Sequence, residues 1–297
     1  MKILNFGSLN IDYTYQVEHF VRPGETISSL CRKTNCGGKG LNQSIALARA
    51  GVQVWHAGAV GAEDGGLLCR ALEESGVNID YVARRKDMAS GHAIIQVNQS
   101  GQNCILLYGG ANQTITPQQV DETLSHFSAG DFLVLQNEIS QLAYIMERAH
   151  EKGMVIILNP SPMDDIIGTL PLDYVDYFLL NEVEAADLCG GKGSLEEMAR
   201  RFPRARIVLT LGKDGACYRD GNQILSHGIY KVPVVDTTAA GDTFTGFFIG
   251  SITQGKDAAE ALRLASVASS LAVSRPGAGA SIPRMEEVLA SRLELDD

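Results

Sequence analysis

The stretch VVDTTAAGDTF, residues 234–244, brings a strand-like segment, three small residues and a helix-like segment together around one carboxylate. Residues 229–235 are largely apolar and β-branched, which predicts a strand, and the apolar run 243–252 predicts a buried helix. Between them, Ala239, Ala240 and Gly241 leave the unpaired N–H groups of a first helical turn open to an anion. The stretch therefore predicts a phosphate-binding helix start with Asp242 at its rim.

A carboxylate at that rim can take a proton from a hydroxyl while helix amides stabilise charge on a transferring phosphoryl group. The alternative interpretation is that Asp242 only caps the helix, as Asp often does. A cap requires one suitable residue, whereas this segment also has three consecutive small residues and an acidic residue, Asp236, at the expected end of the strand. We therefore favour a phosphate site.

Composition indicates a globular protein and excludes some classes of partner. The chain has 297 residues, of which 45% are hydrophobic and 20% charged, and this length suits one large α/β domain with an inserted lid. A net charge of −10 argues against nucleic acid as a partner, because phosphate-backbone binding uses an excess of Lys and Arg. A nucleotide substrate would instead need Mg²⁺ and local hydrogen-bond donors.

Six cysteines are scattered without C-x-x-C pairs or nearby histidines, which indicates reduced thiols and neither a zinc site nor a disulfide framework. The N-terminus opens directly into a strand-like segment without a basic-then-apolar leader, and no run approaches the length of a membrane span. We expect a cytoplasmic protein with no membrane partner.

A regular alternation of helices and strands begins at residue 117 and predicts a mainly parallel, Rossmann-like α/β sheet with helices on both faces. The predicted elements are helix 117–126, strand 131–136, helix 140–151, strand 153–158, strand 175–180, helix 182–189, helix 194–202 and strand 206–211. Ligands of such sheets bind beyond the carboxyl ends of the strands. Polar residues that directly follow strands are therefore the site candidates.

Shorter strand-like runs interrupt this alternation in the N-terminal third. Residues 13–36 alternate in patches, and residues 93–99 and 102–108 flank Ser100-Gly101, which predicts a hairpin with a two-residue turn. The simplest arrangement is a small β-sheet lid, drawn from about 13–36 and 92–108, that projects from a single α/β domain. Such a lid can cover a site and expel water from it.

Two further stretches near the N-terminus combine polar residues with glycines. The predicted strand 2–9 leads into Asn10 and Asp12, which share a face of an extended segment and can together hold vicinal hydroxyls, although a polar turn is the ordinary explanation. Residues 36–43, CGGKGLNQ, lack the first glycine and the final Ser or Thr of a P-loop. No G-x-G-x-x-G lies between a strand and a helix, so an NAD-dependent oxidoreductase has no support.

The motif DTTAAGD at 236–242 closely resembles the signature of the ribokinase-like (PfkB-type) family of sugar and nucleoside kinases. Three other motifs of the family precede it in the chain, in the family's order: Gly-Ser-x-Asn-x-Asp at 7–12, Gly-Gly-Lys-Gly-x-Asn at 37–42 and Asn-x-x-Glu at 181–184. The resemblance covers essentially the whole chain. It implies that Asp242 is the catalytic base and that Ala239, Ala240 and Gly241 form the anion hole.

The resemblance also implies the remaining site residues. Sugar binding falls to Asn10, Asp12, Gly38, Lys39, Gly40, Asn42, Glu138 and Asp242. ATP binding falls to Asn181, Thr210, Gly212, Lys213, Gly215, Gly241 and Ser266. Glu184 would hold Mg²⁺ through water, and a monovalent cation, K⁺, would lie among Asp236, Thr238, Ala272, Arg275, Gly277 and Ser281. By themselves, residues 181–184 indicate a helix cap and residues 275–281 a flexible connection rich in exposed carbonyls.

The function expected from this resemblance is transfer of the γ-phosphoryl group of ATP to a primary hydroxyl of a small sugar, with ribose favoured. The alternatives are a kinase for fructose, deoxyribose, a sugar acid or an adenosine-type nucleoside, and a non-catalytic sugar sensor that keeps the fold. The resemblance further implies a homodimer formed through the lid.

Overall fold

A nine-stranded sheet forms the centre of the protein in the computed structural model, which describes residues 1–296. Its strands, in chain order, are β1 (Ile3–Phe6), β4 (Val54–Gly61), β5 (Asn78–Arg85), β8 (Phe132–Gln136), β9 (Val155–Asn159), β10 (Tyr177–Asn181), β11 (Arg206–Thr210), β12 (Ala216–Asp220) and β13 (Gln223–His227); β2, β3, β6 and β7 belong to a second sheet. The spatial order is β13-β12-β11-β10-β9-β8-β1-β4-β5. The pairs are parallel except for β11–β12 and β12–β13, which confirms a mainly parallel sheet.

Helices cover both faces of this sheet, as a parallel sheet of nearly continuous apolar strands requires. The helices are α1 (Lys39–Arg49), α2 (Gly66–Glu74), α3 (Pro117–Leu124), α4 (Leu142–Glu151), α5 (Glu182–Cys189), α6 (Leu195–Arg201), α7 (Ala240–Thr253), α8 (Ala258–Val273) and α9 (Met285–Ala290). One hydrophobic core includes residues of α1, α2, α7 and α8, and the other includes residues of α3 to α6. None of the helices in residues 1–296 combines the length and apolar character needed to cross a bilayer.

A separate four-stranded sheet contains β2 (Asn10–Gln16), β3 (Cys31–Gly37), β6 (Gly91–Val97) and β7 (Asn103–Tyr108) in the order β3-β2-β6-β7. We call it the lid. The chain reaches it directly from β1, crossing only residues 7–9, and returns from β3 straight into α1. The lid therefore starts at the carboxyl end of β1.

β1 lies where the strand order reverses. The chain continues from β1 through the lid and α1 to β4 on one side, whereas β8 lies on the other side and leads on to β9, β10 and β11. Connections that diverge from neighbouring strands leave a crevice at their carboxyl ends. That crevice opens beneath the lid.

The strand predicted over residues 229–235 is wrong. The segment makes one isolated bridge, Tyr230 to Leu295, and is otherwise irregular, with Val234 and Val235 exposed. Pro233 lacks the N–H that a ladder needs, and β13 already forms the end of the sheet. Asp236 therefore follows an irregular segment and not a strand.

Three further details were not predicted from the sequence. Helix α1 begins at Lys39, so the glycine-rich stretch 36–43 continues into the first helical turn. The lid hairpin turns through residues 98–102, where Asn98 Oδ1 accepts hydrogen bonds from the backbone of Ser100 and Gln102, and not through two residues. Strands β5, β12 and β13 were not predicted.

Candidate active site

Two clefts adjoin at the carboxyl edge of the sheet. The smaller has a volume of about 210 Å³ and surrounds the start of α7, and the larger, of about 890 Å³, runs along the irregular segment 229–234. Both clefts are lined by Asn181, Thr210, Thr237, Ala240, Gly241 and Phe244. A ligand in the larger cleft can therefore extend into the smaller one.

The start of α7 supplies the anion-binding geometry. Ala239 adopts a left-handed conformation with φ 60°, which costs a non-glycine residue roughly 1–2 kcal/mol. This turn leads directly into α7, so the N–H groups of Gly241 and Asp242 belong to a first turn that has no intrahelical acceptors. The N–H of Ala240 donates to Thr237 O at 3.2 Å, so the predicted three-residue anion hole has one donor partly engaged.

Gly241 leaves room for the ligand. A Cβ added at this residue would meet no atom within 4 Å, so the backbone there faces open space in the cleft. Its Cα is the only one in the three-residue stretch without a side chain. The start of α7 is therefore shaped to let a bulky anion approach the backbone.

Asp242 lies in the first turn of α7 and is 8% exposed. Asn42 Nδ2 donates to its Oδ2 at 3.0 Å and Gln43 Nε2 donates to its Oδ1 at 3.0 Å. Both donors come from the first half of α1, which packs against α7. The carboxylate therefore lines the smaller cleft while α1 fixes both of its oxygens, a more enclosed position than the rim predicted from the sequence.

Asp12 and Glu138 bring two more carboxyl groups to the same region. Burial raises the pKa of Asp12 to about 6, with the Glu138 charge adding to the rise. Burial also raises the pKa of Glu138; the Ser8 hydroxyl and Lys39 oppose this rise, and the charge of Asp242 adds to it. Glu138 accepts hydrogen bonds from Ser8 Oγ and from Lys39 N, the latter at 2.9 Å.

Asn10 is held by a residue that the sequence did not single out. Asn112 Nδ2 donates to Asn10 Oδ1 at 2.8 Å, and Asn112 Oδ1 accepts from Leu9 N at 3.0 Å. Both asparagines are buried, at 4% and 1% exposure. Asn112 follows the lid hairpin, so it fixes Asn10 where the lid leaves the main sheet.

Gly38 and Gly40, at the start of α1, allow this helix to approach the backbone of residues 8–10 closely. A Cβ at Gly38 would lie 3.1 Å from Asn10 N, and one at Gly40 would lie 2.3 Å from Ser8 N. The structure thus brings the candidate sugar residues together: Asn10, Asp12, Gly38, Lys39, Gly40, Asn42, Glu138 and Asp242. Of these residues, Lys39 and Asp242 line the smaller cleft.

The larger cleft collects the candidate nucleotide residues. Its lining includes Asn181, Thr210, Gly212, Lys213, Gly215, Gly241 and Ser266. One wall of the cleft, residues 229–234, was not among the predicted nucleotide residues, nor were Ser269, Ser270, Val273 and Asp296. The wall includes Ile229, Val232 and Val234, so the cleft offers apolar surface to a flat ring and polar groups at its margins.

Asn181 and Glu184 form a helix cap and line a cleft at the same time. Asn181 Oδ1 accepts from Glu184 N at 2.9 Å, and Glu184 Oε2 accepts from Asn181 N at 3.0 Å. This capping box fixes both side chains at the start of α5. Both residues also line the smaller cleft, so the cap interpretation and the ligand interpretation are compatible.

The candidate cation residues divide into two groups. Asp236 joins the turn at 237–240 to the loop at 275–281, because its Oδ1 accepts from Thr238 N and its Oδ2 accepts from Gly277 N, each at 2.9 Å. Ser281 is buried and donates to Ala278 O, and the Ala272 carbonyl accepts from Arg275 N. The Arg275 side chain instead pairs with Glu287 at the surface, 2.6 Å away, so only its backbone remains near the loop.

Comparison with known proteins gives one consistent family. The model of the pfkB family carbohydrate kinases matches residues 1–285. A ribokinase of Staphylococcus aureus (strain COL) is 37% identical over 301 residues, covering 97% of this chain and 98% of the relative. The structure of Arabidopsis thaliana ribokinase complexed with ribose and ATP is 32% identical in sequence. Its TM-score is 0.87, and the match covers 97% of each chain.

A second solved structure agrees. Ribokinase from Cryptococcus neoformans var. grubii serotype A, in complex with ADP, is 32% identical with a TM-score of 0.83, and the match covers 97% of this chain and 99% of that one. The similarity in each case extends over both sheets and both clefts, since nearly the whole chain is covered.

Proposed function

Because the chain belongs to the pfkB family of carbohydrate kinases, we propose that it transfers the γ-phosphoryl group of ATP to a primary hydroxyl of ribose. The observation that carries the proposal is the position of Asp242, a buried carboxylate at the start of α7 where the two clefts adjoin. The ribokinase relatives, two of them solved with nucleotide, support ATP as donor and ribose as acceptor.

The proposed reaction involves the lid, α1 and the start of α7. A sugar held between the lid and α1 by Asn10, Asp12 and Asn42 directs its primary hydroxyl towards Asp242. Asp242 accepts the hydroxyl proton as the oxygen attacks the γ-phosphorus, and the bond from that phosphorus to the ADP oxygen breaks. The N–H groups at the start of α7 stabilise the charge on the phosphoryl oxygens, and positioning supplies much of the rate.

Lys39 lies on the path of the transferred group. Its side chain lines the smaller cleft with Asp242 and Gly241, while its backbone N–H donates to Glu138. An ammonium group there would neutralise phosphoryl charge that develops between donor and acceptor. The same residue therefore links the sugar side of the site with the phosphate side.

Mg²⁺ would enter with ATP. Residues 1–296 contain no group of three or more His, Cys, Asp or Glu side chains arranged to hold a metal, a pattern that fits an ion bound mainly by phosphates and water. Glu184 fits a water-mediated role, because one of its oxygens is occupied by the capping box at the cleft wall and the carboxylate keeps its second oxygen. The bound ion would neutralise phosphate charge.

A monovalent cation, K⁺, would lie beside Asp236. Burial opposes ionisation there, but hydrogen bonds from Thr238 and Gly277 hold the pKa of the Asp236 carboxyl below its usual value. An ionised carboxylate that joins the 237–240 turn to a carbonyl-rich loop suits a cation. The cation would stabilise the turn that opens the start of α7.

The proposed assembly and location rest on other features. Strand β7 exposes Ile105, Leu106, Leu107 and Tyr108 at 46–67%, which supports a homodimer through the lid. All six cysteines are free, which supports the expected cytoplasmic location because reduced thiols are typical of that compartment.

The substitution Asp242→Asn tests the catalytic role. Ribose, deoxyribose, fructose and a set of nucleosides are first compared with wild-type enzyme by ADP release, and ribose should give the highest kcat/KM. Loss of the base should then lower kcat by about 10²–10⁴-fold, whereas calorimetric ribose binding should stay within a few-fold. A wild-type protein that binds ribose but releases no ADP with any acceptor would instead be a sugar sensor.

A further inference from the structure

Gln43 contacts Asp242 but belongs to none of the roles assigned above. It is fully buried, lies next to Asn42 in α1, and its Nε2 donates to Asp242 Oδ1 at 3.0 Å. The same nitrogen donates to Asn159 Oδ1 at 3.0 Å, at the carboxyl end of β9. Both hydrogens of this amide are therefore committed, one of them to the proposed base.

The other end of Gln43 is held by a chain of buried amides. Gln136 Nε2, at the end of β8, donates to Gln43 Oε1 at 2.7 Å and to Asn5 Oδ1 at 2.9 Å. Asn5 Nδ2 in turn donates to Gly40 O at 2.7 Å and to Ser44 Oγ at 2.8 Å. Asn5, Gln43 and Gln136 are each no more than 1% exposed.

The direction of this chain is fixed at its far end by a group that can only accept. A backbone carbonyl has no proton to donate, so the side of Asn5 that faces Gly40 O must be its NH₂ group. Its oxygen then faces Gln136, which must donate to it and to Gln43. The oxygen of Gln43 is thereby turned away from Asp242, and its NH₂ group is turned towards it.

A second branch reinforces the same direction. His56 is fully buried, and burial lowers its pKa to about 4, so the ring is neutral. It contacts Gly7 O with Nε2 and Ser44 Oγ with Nδ1. Because Gly7 O only accepts, Nε2 carries the proton, Nδ1 accepts from Ser44, and the Ser44 oxygen is left to accept from Asn5.

We propose that Gln43 is a positioning residue for Asp242, oriented by the buried chain Asn5–Gln136–Gln43, and that this chain sets the rotamer in which the carboxylate meets the sugar hydroxyl. The inference rests on the proposed function of Asp242 as the base. Gln43 lies behind the carboxylate and lines neither cleft. Its loss should therefore lower kcat and leave the binding of sugar and ATP unchanged.

The space for this chain is built into the backbone. A Cβ at Gly7 would lie 2.3 Å from Gln136 Oε1 and 2.6 Å from Gly40 Cα, so the junction between β1 and α1 admits the Gln136 amide only when residue 7 is glycine. The amide oxygen of Gln136 and the Asn42 oxygen are also among the few buried side-chain atoms without a hydrogen-bond partner in residues 1–296.

The test compares Gln43→Met with Gln119→Met. Gln119 is a matched control, since its Nε2 donates to Gly58 O, its Oε1 accepts from Arg85, and it lies in α3 away from both clefts. Gln43→Met should lower kcat by about 10- to 100-fold, the effect expected for one hydrogen bond to a charged group. The KM values for ribose and ATP should change less than threefold, and the control should retain wild-type kcat.

Two further variants separate orientation from packing. Gln43→Glu keeps the shape and can still accept from Gln136, but it presents an oxygen to Asp242, so kcat should fall further than in Gln43→Met. Gln136→Met removes the residue that turns Gln43 and should lower kcat without any direct contact with Asp242. If a Gln43 variant does not fold, Gln136→Met carries the test alone.

A crystal structure of Gln43→Met provides a readout that does not need activity. The Asp242 carboxylate should leave the rotamer seen in wild type. A kcat within threefold of wild type in Gln43→Met, or an unmoved Asp242 carboxylate, overturns the inference. Failure of wild type to phosphorylate any acceptor would overturn the proposed function instead, and the crystal structure would still decide whether Gln43 sets the rotamer.

Discussion

At the scale of single residues, Asp12, a proposed sugar ligand, also affects the stability of the fold. Its pKa is raised from 3.8 to about 6, so the folded protein binds the proton more tightly than the unfolded chain does. The stabilisation that comes with the proton is complete below pH 4 and is lost as the pH rises through 6. At neutral pH the ionised Asp12 therefore lowers the free energy of unfolding.

The substitution Asp12→Asn should raise the free energy of unfolding at pH 7.5 by about 1–2 kcal/mol, a figure reduced from the full shift because Asp12 is partly exposed. The gain should nearly vanish at pH 4, where the wild-type carboxyl is protonated too. KM for ribose should rise. Urea unfolding at the two pH values measures the difference, and Glu147→Gln, at an exposed residue, is the control. Equal stability of Asp12→Asn and wild type at pH 7.5 would contradict the raised pKa of Asp12.

The residues of the site differ in how far the sequence could reveal them. Asn10, Asp12, Asn42 and Asp242 stand in short motifs whose spacing carries information. Gln43, Gln136, Asn5 and Asn112 do not, because they are far apart in the chain and become partners only when β1, β8, α1 and the end of the lid meet. A buried amide in an apolar strand such as β8 is the only local sign of such a network.

At the scale of elements, α7 uses its glycines for opposite purposes. A Cβ at Gly241 would enter the open cleft, whereas a Cβ at Gly246 would lie 2.3 Å from Ala46 Cβ and 2.8 Å from Leu47 N. The first glycine leaves space for a ligand and the second lets α7 pack closely on α1. The same helix therefore positions Asp242 against Asn42 and exposes its own first turn.

Replacing each glycine with alanine should separate the two purposes. Gly241→Ala should stabilise the fold by about 0.5–1 kcal/mol, because glycine disfavours a helix, while kcat/KM for ATP falls at least about tenfold as the methyl group enters the phosphate space. Gly246→Ala should destabilise the fold by about 1–3 kcal/mol through overpacking. Thermal unfolding and steady-state kinetics measure both; a Gly241→Ala enzyme with unchanged ATP kinetics would exclude this helix start as the phosphate site.

The element that was predicted wrongly also shows what local pattern cannot decide. Residues 229–235 have the composition of a strand, but Pro233 interrupts the donors and the segment pairs only at Tyr230 with the C-terminal Leu295. Ile229, Val232 and Val234 line the larger cleft, and only Tyr230 also belongs to a hydrophobic core. A binding wall and a buried strand can therefore share one composition, and only the tertiary structure distinguishes them.

At the scale of the whole molecule, the alternation of elements after residue 117 was enough to predict the mainly parallel sheet. The antiparallel strands β12 and β13 were missed because they are partly exposed and lack the nearly continuous apolar run of the buried strands, although all have five residues. The lid was predicted as a separate small sheet, and its order β3-β2-β6-β7 depends on a parallel contact between β2 and β6 that no local signal contains. Long-range pairing is what the sequence did not reveal.

The lid also carries the last prediction. Strand β7 is an unpaired edge with four consecutive large side chains exposed, Leu106 most of all at 67%. An apolar edge of this kind is unfavourable in water unless another surface covers it, and a second copy of the lid would cover it with the same chemistry.

Leu106→Asp should therefore convert a dimer to a monomer in sedimentation velocity while the free energy of unfolding of each subunit stays nearly unchanged. Leu289→Asp, at a residue 62% exposed on α9, is the matched control and should remain dimeric. If the wild-type protein sediments as a monomer at micromolar concentration, the lid does not form the interface.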